Sequence, residues 1–213
     1  MHPVSKIDYQ QFFKKAAKKN NEWEKVTWGS LKSMYAKFAA LFNFISRSFK
    51  GKVLDVGCGT GAFIDYASSK MPDVQFYGVD IIEEFIEMCI NRKINNARFL
   101  YGDINNLPFS DKAFNLVTCI GVLQNFNGNW IKAIKEICRV SNRYLYVVTL
   151  DEATEKKNPY DIYYNPEEIR ECIEQNDFSV CACYSIATEP PLIRELHETQ
   201  TFCVFAEREV EKQ

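Results

Sequence analysis

The spacing of apolar residues changes once along the chain, near residue 50. Before that point Leu31, Met34, Tyr35, Phe38, Leu41, Phe42 and Ile45 recur at helical intervals. This pattern predicts helices over 8–20 and 30–49, parted by Asn20-Asn21 and Trp28-Gly29-Ser30. From residue 52 short apolar runs alternate with helical stretches. Strands are expected at 53–56, 74–79, 97–101, 114–120 and 144–150. Helices are expected at 62–71, where Pro72 stops the run, at 82–92 and at 130–140. Residues 114–120 are almost continuously apolar, as a strand covered on both faces requires. Parallel neighbours need crossover helices, so the alternation predicts a doubly wound α/β sheet.

The last third reads differently. A helix over 166–176 opens on Pro166 and carries acids in its first turn. Strands at 178–186 and 201–207 follow with no helical pattern between them, which implies an antiparallel pair at one edge. The connection 187–200, with Pro190-Pro191, is long enough to suggest a functional loop. Residues 1–50 are read as a helical extension covering the site and 51–213 as the main domain.

Composition narrows the class. A chain of 213 residues is one domain, or one domain with a modest extension. At 46% apolar and 25% charged it matches ordinary globular proteins. No run approaches the roughly 18 apolar residues of a membrane helix. The first residues show no signal-peptide pattern, so no membrane partner and a cytoplasmic location are expected. Cys89, Cys119, Cys138, Cys172 and Cys203 sit among apolar neighbours, as reduced thiols do. Cys181-Ala182-Cys183 is read as a strand segment with its two thiols on opposite faces, and no metal site is expected. Charge is uneven: residues 1–52 hold 11 Lys/Arg against 3 Asp/Glu, and residues 151–213 hold 6 against 15. The basic arm Lys14, Lys15, Lys18 and Lys19 is read as a solvated helix face, because it lacks interleaved aromatics. A nucleic-acid partner is therefore disfavoured.

Candidate chemistry begins at Gly57, Gly59 and Gly61, directly after the strand at 53–56 and before a helix. Glycine there allows a tight turn and bare backbone against a ligand. The spacing misses the dinucleotide fingerprint, whose third glycine would fall at position 62. Asp55, two residues before the turn, would repel a pyrophosphate but suit a ligand with a positive centre. Asp80 ends the second strand, where an acid can grip a ribose diol or cap a helix. Asp103 follows the third strand and completes a crevice at the carboxyl ends of three strands.

These segments carry a family resemblance. Val53-Leu54-Asp55-Val56-Gly57-Cys58-Gly59-Thr60-Gly61 resembles the first motif of class I (Rossmann-like) S-adenosylmethionine (SAM) dependent methyltransferases. Gly78-Val79-Asp80, Gly102-Asp103 with Leu107-Pro108-Phe109, and Phe114–Val117 with Gly121-Val122-Leu123-Gln124 resemble later motifs. The resemblance implies seven strands ordered 3-2-1-4-5-7-6, the last antiparallel. It implies SAM as cofactor and S-adenosylhomocysteine (SAH) as product. Asp55, Gly57 and Gly59 would line the methionine end, with Cys58 and Gly61 also among the cofactor-binding residues. Asp80 would hold the ribose and Ile81 the adenine face. Asp103 would meet the adenine amino group near the Ile104 amide, with Ile120 and Gly121 beside the sulfonium.

Many relatives carry a His shortly after the fourth strand; here the segment reads Val122-Leu123-Gln124-Asn125-Phe126. Two expectations follow. Gln124 or Asn125 orients an already competent nucleophile, such as a carboxylate, thiolate or amine. Alternatively His197, in the long loop, acts as a base. Trp28, Tyr35, Tyr160, Tyr163 and Tyr164 are the candidate acceptor walls. The leading reading is methyl transfer to a small-molecule acceptor by a monomer or homodimer. An NAD-dependent oxidoreductase and a non-catalytic SAM-binding scaffold remain as alternatives.

Overall fold

The computed structural model describes residues 8–26, 30–46, 48–126, 128–154, 161–186 and 201–209. Within them lie helices α1 (Tyr9–Ala16), α2 (Glu22–Lys25) and α3 (Leu31–Leu41), then β1 (Lys52–Val56), α4 (Ala62–Ser68), β2 (Gln75–Asp80), α5 (Glu83–Asn91) and β3 (Ala97–Tyr101). These are followed by β4 (Phe114–Ile120), a 3-10 turn (Leu123–Asn125), α6 (Trp130–Val140), β5 (Ser141–Leu150), α7 (Pro166–Glu174), β6 (Phe178–Ile186) and β7 (Thr201–Arg208).

The strands form one sheet ordered β3-β2-β1-β4-β5-β7-β6. β1 to β5 pair in parallel, and β7 runs antiparallel between β5 and β6. Side chains alternate between two cores, as strand geometry demands. Leu54, Val117, Leu145 and Val147 face α6 and α7. Val53, Leu116, Tyr146 and Val148 face α3 and α4. The register pairs Val56 with Val79 and Asp80 with Tyr101, so the carboxyl ends of β1, β2 and β3 lie level.

The fold class and strand order are those expected. Three details differ. α3 ends at Leu41, short of residue 49, because Phe44 leaves the helix to stack on Phe205 (4.7 Å) and Phe49 meets Tyr144 (6.4 Å). Those two rings, inside the expected helix, pack on β7 and β5 instead. The short helix α2 was not foreseen; it follows Asn21 at a capping box closed by Glu24. Cys181 and Cys183 are both exposed, on one face of β6. Residues two apart share a strand face, so the expectation of opposite faces was wrong.

Candidate active site

The turn after β1 is built for glycine. Gly57 and Gly59 have φ of 70° and 51°, the left-handed region. A Cβ at Gly57 would lie 2.3 Å from Val122 Cγ2, and one at Gly59 2.7 Å from Val26 Cγ1. The amides of Gly57 and Cys58 both donate to the Val79 carbonyl, at 2.7 and 3.0 Å, folding the turn back onto β2. Asp80 braces the same turn. Its Oδ2 accepts from the Gly59 amide (2.8 Å) and its Oδ1 from the Ile82 amide (2.9 Å). The ribose-gripping acid of the sequence reading is thus also the strut of the glycine turn. Beneath it, Cys89 Sγ donates to the Gly59 carbonyl (3.2 Å). Contact with Cys89 and burial push the Cys58 thiol up.

Asp55 is buried at the end of β1, 3% exposed, and accepts from Thr118 Oγ1 (2.7 Å). Burial pushes its carboxyl up to about 7; the Thr118 hydrogen bond opposes this and the charge of Asp80 adds to it. Burial also raises Asp80 to about 6, against the amides of Ile82, Gly59 and Ile81. Two carboxyls held so far above their ordinary range favour a cationic ligand, which would stabilise the ionised forms. Asp103 lies at the rim, its Oδ1 accepting from the amide and the side chain of Asn105.

These groups open into a cavity of about 420 Å³. Asp55, Gly57, Cys58, Gly59, Asp80, Ile81, Asp103, Ile104, Ile120 and Gly121 all line it, as does Asn125. Gly61 does not. It is the left-handed N-cap of α4 and shapes the turn from behind. Gln124 is also off the wall, its carbonyl accepting from the Ile162 amide (2.8 Å). Tyr35 packs on Tyr66 (5.4 Å) and Phe38 (5.7 Å), away from the cavity. Tyr164 is core: its hydroxyl donates to the Leu123 carbonyl (2.9 Å) and its ring meets Trp130 edge-on. Tyr163 is half-buried and off the wall. Trp28, Tyr160, His197 and the loop 187–200 lie outside the described residues.

Tyr9, Phe13, Val26, Met34, Phe38 and Phe126, all on the wall, were not foreseen. The signal for four of them was present in the apolar faces of the first helices, which read as packing. α1 forms a roof. Toward its carboxyl end Phe13 meets Phe85 edge-on (6.1 Å) and Lys14 reaches Glu84 (4.0 Å), both on α5. At its start Tyr9 feels the charge of Asp161, which with burial raises its hydroxyl. Tyr9 in turn acts on Tyr164, which is bridged to Asp151 just past β5. α1 therefore crosses from the β5 side to the β2 side. Eight residues span about 12 Å, close to the roughly 14 Å of three strand spacings. Arg92 pins α2 beside it. Its guanidinium pairs with Glu22 and Asp65 and donates to the Thr60 carbonyl (2.6 Å).

Strand order, the glycine turn and the three acids at level strand ends define a class I, Rossmann-like methyltransferase domain. The chain belongs to the methyltransferase-domain family, whose model matches residues 48–203. It is 30% identical over 100 residues to a demethylmenaquinone methyltransferase of Thermotoga maritima, covering 47% of this chain and 43% of that protein. It is 30% identical over 116 residues to a probable tRNA methyltransferase 9B of Mus musculus, covering 52% of this chain and 24% of the other. The match thus spans less than half the length of either curated relative. Among solved structures, magnesium protoporphyrin IX methyltransferase from Synechocystis with bound SAH shares the fold. Its TM-score is 0.69 at 16% identity, over 90% of this chain and 89% of that one.

Proposed function

We propose that this protein transfers the methyl group of SAM to a small-molecule acceptor. The observation that carries the reading is the pair of buried carboxyls, Asp55 and Asp80, facing a glycine turn at the mouth of parallel strands. SAM carries an ammonium and a sulfonium, which suit the ionised Asp55 at the methionine end, while its ribose hydroxyls suit Asp80. The residues therefore fit the cofactor. Asp55, Gly57, Cys58 and Gly59 would hold its methionine end, with Gly61 setting the turn. Asp80 would take the ribose hydroxyls and Ile81 the adenine face. Asp103 and the Ile104 amide would meet the adenine edge, with Ile120 and Gly121 beside the methyl. SAM supplies an electrophilic methyl group; the protein's part is to hold the acceptor in line with it, and such positioning accounts for much of the rate.

A roofed cavity supports a small acceptor over a polymer. The described part of residues 1–50 supports its reading as an extension over the site, since α1 lines the cavity and α3 shares a core with α4. An NAD-dependent oxidoreductase is disfavoured, because Asp55 would oppose a pyrophosphate and the third glycine falls at 61 instead of 62. Calorimetry with SAM, SAH and NAD tests the cofactor, and methyl transfer from labelled SAM to small acceptors or to tRNA tests the acceptor. SAM and SAH should bind and NAD should not. Binding of NAD alone, or methylation of tRNA alone, would overturn the respective part.

A further inference from the structure

The far half of the cavity is chemically unlike the cofactor half. Past the ends of β4 and β5, its wall is Val122, Phe126 and the start of α1. Two partly buried side chains there carry a neutral hydrogen-bonding group, Tyr9 on the roof and Asn125 on the turn after β4. Among the described residues the charged side chains of the whole cavity are Asp8, Asp55, Asp80 and Asp103, and no Lys, Arg or His lines it. A carboxylate or phosphate placed there would face acids of its own sign without a cation to offset its desolvation. That argues against a carboxylate nucleophile and against a nucleic-acid backbone.

The chemistry narrows the acceptor further. Asp55 and Asp80 lie at the cofactor end, so neither is placed to take a proton from an acceptor. An aliphatic amine enters protonated at neutral pH, without a free lone pair. An aliphatic alcohol gives up its proton far less readily than a phenol, whose pKa is about 10. Among the described residues the acid whose charge reaches this half is Asp161, beside Tyr9; an acidic aromatic hydroxyl fits the apolar wall and gives up its proton without a strong base.

Resting on the SAM reading above, we propose that this chamber takes an uncharged aromatic acceptor of the phenol class, its ring against Phe126 and Val122 and its hydroxyl between Tyr9 and Asn125. The hydroxyl proton is lost to water at the mouth, beside the exposed Asp8. The oxygen lone pair forms the new O–CH3 bond. The S–CH3 bond breaks with its electron pair staying on sulfur, so the products are an aryl methyl ether, neutral SAH and a proton. Tyr9 and Asn125 orient the oxygen.

The test uses the whole chain, with 1-naphthol and 1,4-dihydroxynaphthalene as probes and 1-naphthoate and bulk tRNA as contrasts. Calorimetry follows probe binding to SAH-saturated protein, and transfer of labelled methyl from SAM follows turnover. At least one phenol should bind and be methylated, and 1-naphthoate should bind at least about tenfold more weakly. Tyr9→Phe and Asn125→Ala should each lower kcat/KM for the phenol by about threefold to tenfold, the worth of one hydrogen bond. SAH affinity should stay within about twofold in both, which separates acceptor orientation from a general loss of structure. Binding of SAH with no binding of either phenol, preference for naphthoate or tRNA, or two variants at wild-type kcat/KM would each overturn the inference while leaving the cofactor reading intact. Failure of the wild type to bind SAH would overturn both.

Discussion

Replacing Asp55 with Asn tests the electrostatics of the site directly. In the folded protein this carboxyl is raised from 3.8 to about 7. A difference of that size favours the neutral form by about 4 kcal/mol. The sign follows from the direction. A carboxyl raised by folding contributes stability that is complete below its unfolded value, near 3.8, and lost as pH climbs through 7. Between pH of about 5 and about 8 the loss is on the order of 2–3 kcal/mol. For a chain of this size that is roughly 5–10 °C in Tm. Thermal unfolding of the ligand-free protein across this range should show the decline in the wild type. Asp55→Asn should show a shallower one, because of the two raised carboxyls at the site Asp80, at about 6, is left to drive it. The Asn carbonyl can still accept from Thr118, so the packing is kept. The same substitution removes a charge facing the cofactor. SAM affinity should fall by about tenfold to a hundredfold, the worth of a charged hydrogen bond, and the wild-type affinity should rise with pH through 6 to 7 and then level off. Parallel stability curves for the two proteins, or an unchanged SAM affinity in the variant, would refute the reasoning.

Three further outcomes follow from particular contacts. Gly57→Ala places a methyl at 2.3 Å from Val122 on a backbone with φ of 70°; a loss of about 1–3 kcal/mol in chemical denaturation and undetectable SAM binding are expected. Arg92→Met unties α2 from the glycine turn; SAM affinity should drop several-fold and limited proteolysis near residue 25 should quicken, while the main unfolding transition shifts little. Tyr146→Phe removes the hydroxyl that donates to the Lys37 carbonyl at 2.8 Å in the core between α3 and β5; urea unfolding should show a loss of about 1–3 kcal/mol with SAM binding preserved.

The sequence made the cofactor half legible because that half is local. Asp55, Asp80 and Asp103 each end or follow a strand whose apolar run is unmistakable, and parallel strands bring their ends together without further information. The glycine turn lies next to the first of them. The far half of the cavity is assembled from distant segments, and no spacing within one segment reports it. Tyr9 and Phe13 reach the wall only because α1 crosses the crevice. Met34 and Phe38 sit at helical positions that serve core and cavity alike. Tyr164 shows the converse error: an aromatic near the site by sequence is held in the core by the Leu123 carbonyl and Trp130. The overrun of α3 has the same origin, since Phe44 and Phe49 fall within the expected helix but answer to rings on β7 and β5.

The eight-residue roof helix has a kinetic consequence. A helix of this length has too few hydrogen bonds to persist alone in water. α1 is therefore helical while Phe13, Lys14 and the buried Ala16 and Ala17 keep it docked. Its undocking is a local opening whose frequency is set by those few contacts, well below the cost of unfolding the sheet. A cofactor resting against Ile81 and Ile82 would add to the surface that holds α1 down. Amide exchange in residues 9–16 would then act as a gauge of occupancy.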